Sequence, residues 1–434
     1  MTPIEQAPGI VEVAAGMTIA GVVRTPGDKS ISHRSLLLAA LAEGTSSIRG
    51  LSNGEDVART RACVASLGAL VDQADTGAVV VTGGRDRLHA VDEVLDCGNS
   101  GTTMRLLAGV VAGIDGAHRL DGDDSLRRRP MDRVALPLRS MGATVLGVGD
   151  RCTPPLEVHG GILRAIRYEL PVPSSQVKSS VLLAGLTADG PTTVVEPVAT
   201  RTHTEEMLHA AKARIEVASR PDGRHITIWP SELEAVDWLV PGDPSQAAFF
   251  VVAAILAAAG EVEVRDVYVG EERIGFVRVL ERMGGHVVTR VRRAGAGDLL
   301  ASSASLIATR VQASEIPSLD EVPILAVAAA AASGATTFVD VGELRLKESD
   351  RLAATARLVR SLGASASIEG DDLVIEGLGS ASRFRRFEYD AEGDHRMAMA
   401  ASIAAAVGSG AVVDGFAGVA TSYPGFLSDL ASLR

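Results

Sequence analysis

An apolar run that ends in glycine, followed by a short strand-like stretch, recurs six times along the 434-residue chain. The closing glycines are Gly44, Gly116, Gly190, Gly260, Gly334 and Gly410, spaced 72, 74, 70, 74 and 76 residues apart. Each run reads as a buried helix closed by its glycine. Strands are expected next, at 45–49, 117–121, 192–196, 261–266, 335–341 and 411–414. A second, amphipathic helix then stops at Gly68, Gly142, Gly284 or Gly363; the third unit has a degenerate stop near Ala211–Ala213, and the sixth runs out at the C-terminus. The unit is roughly β-α-β-α-β-β. Solenoid repeats run to about 20–50 residues, so units this large are subdomains. Six of them predict an α/β protein of two domains with three units each, cut near 238–242. The strand-like stretch 17–23 either starts the first unit or bridges to the other half.

Composition narrows the function. At 46% hydrophobic and 22% charged the chain is globular, and its net charge of −12 disfavours nucleic acid as a partner. Cys63, Cys97 and Cys152 are odd in number and lack CxxC spacing, which points to a reducing compartment without disulfides or zinc. The first 13 residues lack a basic and apolar leader pattern. The longest apolar run, 247–259, is too short to span a bilayer. A soluble, cytoplasmic protein with no membrane partner is expected.

Polar clusters open the apolar helices, at 26–34, 96–105, 173–178, 241–246, 317–322 and 392–397. Capping alone would explain any one of them. It does not explain Lys29, Arg34, Arg105 and Arg396, cations placed against the helix macrodipole. An anion bound there would satisfy both the cations and the free N–H groups. If the six ends face one cleft, its substrates carry phosphate and carboxylate. Two further clusters, 125–133 and 343–351, fall between a first strand and a second helix, and Arg201 and His203 hold that place in the third unit. Each alone could be a solvated helix face.

Seven ordered motifs carry a resemblance: PGDKSISHRSLLLAAL, GNSGTTMRLLAG, RRPMDR, SSQVKSSVLLAGL, LDEVPILAVAAA, LRLKESDR and GDHRMAM. From Thr18 to Pro424 the chain resembles the 5-enolpyruvylshikimate-3-phosphate (EPSP) synthase family. The resemblance implies a two-domain inside-out α/β barrel of six βαβαββ units. One domain would be discontinuous, 1–23 plus 241–434; the other, 24–240, would be inserted, with the active site in the interdomain cleft. The implied reaction is transfer of the enolpyruvyl group of phosphoenolpyruvate to the 5-hydroxyl of shikimate 3-phosphate.

By the same resemblance, Lys29, Ser30, Arg34, Ser174, Ser175, Gln176 and Arg201 would hold shikimate 3-phosphate, with Lys29 also touching phosphoenolpyruvate. Gly101 and Thr102 would offer it backbone N–H groups, with Asn99 shaping their turn. Arg129, Arg351 and Arg396 would clamp its phosphate and carboxylate, as guanidinium suits both groups. Lys347 would bind near the attacking hydroxyl, and His395 would orient Arg396. Asp320 matches the base position; Glu348 and Lys29 match the proton donors. Taken singly, Asp320 could cap a helix and Glu348 could be an ion-pair partner. No metal or organic cofactor is implied. Glyphosate is the implied inhibitor, a methyl at Gly101 crowding it more than phosphoenolpyruvate, and a monomer is expected. Thr421 and Glu343 depart from residues common in the family, Lys and Asn, and resemble its more divergent bacterial subgroup. The rival enzyme reading is UDP-N-acetylglucosamine enolpyruvyl transferase, whose Lys-Asn pair is replaced here by Lys29-Ser30 and whose loop cysteine is missing from 125–133. A non-catalytic anion-binding homologue is the rival from another class.

Overall fold

The computed structural model describes residues 4–7, 9–293 and 295–433. Residues 1–3, 8, 294 and 434 of the expected discontinuous domain lie outside them. Twelve α-helices occur among the described residues. They are α1 (Lys29–Leu41), α2 (Glu55–Ser66), α3 (Gly101–Val111), α4 (Asp132–Ser140), α5 (Ser175–Gly185) and α6 (His203–Ala210). Then come α7 (Pro244–Leu256), α8 (Gly275–Arg282), α9 (Val322–Ala331), α10 (Arg351–Ser361), α11 (His395–Val407) and α12 (Phe426–Ser432).

The odd-numbered helices are the apolar runs, and they are buried along nearly their whole length. They stop three to five residues short of the glycines expected to close them. The glycines sit at or near the start of the following strands instead, except Gly44, which lies inside Ala42–Arg49. At Gly260 (φ +140°) a Cβ would collide with the backbone oxygen of Ile19, so close strand packing explains the glycine better than helix capping does. The second helices stop where the sequence places them. Gly68, Gly142, Gly284 and Gly363 all have left-handed φ, and Lys212 takes φ 64° at the degenerate third stop.

Each repeat builds one sheet. In the second, strands Val94–Asp96, Gly116–Asp121, Thr153–Gly160 and Thr144–Val148 lie in that order, the first pair parallel and the rest antiparallel. The third and fifth repeats follow the same order. The others borrow strands. The first takes its leading strands from Leu233–Glu234 and Trp238–Leu239, parallel to Ala42–Arg49. The fourth takes Gly21–Val23, parallel to Glu261–Tyr268, so the 17–23 stretch serves the second half of the chain. The sixth is completed by the N-terminal hairpin Ile4–Ala7 and Ile10–Val13.

Two compact units result: Met1–Asp28 with Pro241–Arg434, and Lys29–Val240, each with its own apolar core. The division falls after Asp28 rather than at 23/24. Residues 24–28 are tied to the first unit, where Asp243 N–H donates to Pro26 O at 2.8 Å and buried Asp28 pairs with Arg273. In the first unit α7, α9 and α11 pack on one another; in the second, α3 packs on α1 and α5. Gly109 lets α3 approach α5, since a Cβ there would lie 2.8 Å from the Cα of Ser180.

Candidate active site

In the unit Lys29–Val240 the expected residues gather at the starts of α1, α3 and α5. Arg201 Nη1 donates to Ser30 Oγ at 2.8 Å. Arg34, 3% exposed, donates to Ser30 O at 2.9 Å, Thr204 Oγ1 at 2.7 Å and Ser179 Oγ at 2.6 Å. Lys29 pairs with Asp56, whose carbonyl accepts from Thr103 Oγ1 at 3.2 Å and so links α1 to the start of α3.

Ser100 caps α3, so Gly101 and Thr102 are its first two residues, whose amides a helix leaves without intrahelical acceptors. Gln176 bridges α5 to α3, donating to Thr102 Oγ1 at 2.9 Å and accepting from Arg105 Nη1 at 2.8 Å. Asn99 accepts from Arg129 Nη2 at 2.7 Å and donates to Asp123 at 2.7 Å, so it aims an arginine as well as shaping its turn. A Cβ on Gly101 would lie 2.7 Å from Arg105 Nη1 and 3.4 Å from Arg129 Nη1. Ser174 caps α5 through its side chain, accepting from Val177 N–H at 3.3 Å, and Ser175 begins that helix. Next to Lys29, buried His33 has its pKa pushed well below the ordinary value by burial, then by Lys29 and Arg34. It is therefore neutral, within 2.7 Å of Thr60 Oγ1.

In the unit containing Pro241–Arg434 the hub is Asp320. It does not cap α9, whose N-cap is Glu321. Its Oδ1 lies 3.2 Å from Arg351 Nη1 and 3.8 Å from Lys347 Nζ, and its Oδ2 lies 3.5 Å from Arg396 Nη2. Three cations thus surround one partly exposed carboxylate. Arg351 is completely buried and pairs also with Glu348 and with Asp394, the latter at 2.9 Å. Burial works against its charge, but Asp394, Glu348 and Asp320 outweigh it and raise its pKa further. Burial likewise pushes the Asp394 carboxyl up, yet Arg351 overrides it and holds the group below the ordinary range.

Lys347 Nζ donates to Ser318 O at 3.0 Å. His395, buried as the first residue of α11, favours ionised Asp394 when charged. Arg396 Nη1 is buried without a hydrogen-bond partner among the described residues. Glu343 is exposed on a 3₁₀ turn, and Thr421 Oγ1 closes on Gly418 O at 2.7 Å.

Two partners escaped the candidate list. Asp394 aligns Arg351 and caps α11, accepting from Arg396 N–H at 2.9 Å; the GDHR spacing, an N-cap acid before a cation, carried that signal. Arg105 orients Gln176, and its position against the macrodipole was the clue. A third group, Asp28, Asp243, Arg273, Ser245 and Glu321, knits the starts of α7 and α9. Among the described residues, no group of three or more His, Cys, Asp or Glu could hold a metal ion, and no helix is long and apolar enough to cross a membrane.

The family model for EPSP synthase (3-phosphoshikimate 1-carboxyvinyltransferase) matches residues 13–430. Curated relatives named 3-phosphoshikimate 1-carboxyvinyltransferase include those of Synechococcus sp. WH7803 (46% identical, 98% of each chain) and Desulforudis audaxviator (44%, 98% of this chain and 99% of the relative). A solved EPSP synthase from Acinetobacter baumannii superimposes with a TM-score of 0.85 at 36% identity over 98% of both chains. The enolpyruvyl transferase NikO from Streptomyces tendae, 19% identical with a TM-score of 0.77 over 100% and 97%, shares the fold.

Proposed function

The chain belongs to the EPSP synthase family, and on that premise we propose how its residues divide the reaction. It transfers the enolpyruvyl group of phosphoenolpyruvate to shikimate 3-phosphate and releases phosphate, a step of the shikimate pathway. Ser30, Arg34, Ser174, Ser175, Gln176 and Arg201 hold shikimate 3-phosphate. Lys29, Arg129, Arg351 and Arg396, with the Gly101 and Thr102 amides, hold phosphoenolpyruvate. Lys347 binds beside the attacking 5-hydroxyl.

One observation carries the mechanism: Asp320 lies within 4 Å of three cations. Without substrate it is their counterion. When phosphoenolpyruvate brings its own charges to Arg351 and Arg396, the carboxylate is released to accept the proton of the 5-hydroxyl. The 5-hydroxyl oxygen bonds to C2 while C3 takes a proton from the Lys29 ammonium, or from Glu348 once the neighbouring substrate anion has favoured its protonated form, giving a tetrahedral ketal. Loss of a C3 proton back to the donor forms the C2=C3 double bond and breaks the bond from C2 to the phosphate oxygen, so phosphate leaves with that electron pair and the enolpyruvyl ether remains. Preset charges and fixed orientation supply the acceleration.

Glyphosate, a phosphonate carboxylate, fits the same cations as phosphoenolpyruvate. A monomer is proposed as the acting species. The buried cysteines, none in a disulfide, support a cytoplasmic setting. The test is phosphate release with each substrate alone and with both. Release that requires both supports the assignment; release with UDP-N-acetylglucosamine in place of shikimate 3-phosphate overturns it.

A further inference from the structure

Only four of the 42 basic residues are lysine: Lys29, Lys178, Lys212 and Lys347. Two belong to the candidate site and Lys212 occupies the stop after α6. Lys178, on α5, is completely buried. Its Nζ lies 2.8 Å from Arg201 O, 2.7 Å from Glu205 Oε1 and 3.0 Å from Glu196 Oε1. Three acceptors around one point suit an ammonium group and not the planar fork of arginine. Arg224 stands 3.4 Å from both Glu196 and Glu205, so two cations balance two carboxylates. Thr200 Oγ1 donates to Glu196 at 2.5 Å.

Such a cluster gives little stability over apolar side chains of the same volume. What it does is pin the segment 200–205 to α5. That segment carries Arg201, which reaches Ser30. It also carries Thr204, which accepts from Arg34 and shares a 2.6 Å hydrogen bond with Ser179 of α5. Both cations assigned above to shikimate 3-phosphate are thus held by groups that Lys178 anchors.

We propose that Lys178, with Glu196 and Glu205, is a positioning residue for shikimate 3-phosphate, holding Arg201 and Thr204 so that Arg201 and Arg34 are preset for the phosphate. The proposal rests on the reading of Arg34 and Arg201 as shikimate 3-phosphate ligands. Without the anchor the segment must be ordered on binding, a cost that falls on affinity for that substrate.

Lys178→Met alone would leave two buried carboxylates to share Arg224, so the test variant is Lys178→Met with Glu205→Gln, which leaves Glu196 and Arg224 paired. The KM for shikimate 3-phosphate is expected to rise about ten- to hundred-fold, with kcat and the KM for phosphoenolpyruvate within about threefold. Arg201→Ala is measured alongside. If it leaves the KM for shikimate 3-phosphate unchanged, the reading of Arg201 falls and the proposal with it. If it raises that KM while the double variant does not, the positioning role alone is overturned. Should the double variant fail to melt like the parent, Glu205→Gln alone, which keeps Lys178 paired with Glu196, must raise the same KM at least about threefold, or the proposal fails.

Discussion

Asp394 is the group whose loss has the most calculable consequence. It is completely buried and accepts from Arg351 Nε at 2.9 Å and Nη2 at 3.2 Å, from Ser349 Oγ at 3.0 Å and from the Arg396 amide at 2.9 Å. Asp394→Ala removes the cap of α11, worth about 1 kcal/mol. It also breaks a buried ion pair, which costs about 3–5 kcal/mol when one charge is left behind. Arg351 keeps Glu348 and Asp320, both partly exposed, so the lower end of that range applies. The sum is about 4 kcal/mol. Asp394→Asn keeps a cap acceptor and a neutral partner for Arg351, and should cost about 1–2 kcal/mol. Urea unfolding followed by circular dichroism measures both, with the transitions of the two compact units resolved rather than assumed to coincide. A loss below about 1 kcal/mol for Asp394→Ala, or equal losses for the two variants, would refute the buried pair as the anchor of Arg351.

Gly101→Ala places a methyl 2.7 Å from Arg105 Nη1 and 3.4 Å from Arg129 Nη1. Glyphosate inhibition should weaken at least about tenfold, a shift of about 1.4 kcal/mol; an unchanged inhibition constant contradicts this. Because Asp394 titrates below the ordinary carboxylate value when folded, its contribution is complete above about pH 4 and lost as pH falls through the depressed value. Melting temperatures of Asp394→Asn should therefore be flatter than the parent's below about pH 4, and parallel curves would count against the pair. His33 is held neutral by a lowered pKa, so the unfolded chain takes up a proton first as pH drops below about 6.5 and stability falls there. His33→Gln should reduce that slope, with His118, whose pKa burial also lowers, keeping part of it, measured as melting temperature between about pH 7 and pH 5.

The repeat count and most strand positions were legible because each unit repeats one alternation of apolar run, strand and amphipathic helix. Of the borrowed strands, 17–23 was legible as one of two alternatives; the others were not. Residues 4–13 and 233–239 pair with partners far along the chain, and periodicity does not report pairing at a distance. The closing glycines misled about helix ends, since strand entrances also need left-handed φ, as at Gly260 and Gly334. At the site, motif order placed Asp320, Glu348 and Arg351 together, but Asp320 and Glu321 are adjacent acids and only coordinates separate the N-cap from the hub. Lys178 sits among SSQVKSS as an ordinary helix residue; its burial follows from packing between α5 and the 200–205 segment.

The most direct test of Asp320 as the base is kcat for Asp320→Asn, followed as phosphate release with both substrates saturating. Asparagine preserves size and one acceptor oxygen but cannot take the hydroxyl proton. A fall of about 10²–10⁴ in kcat, with the KM for shikimate 3-phosphate within about threefold, is expected. An Asp320→Asn enzyme turning over at the parent rate would contradict it.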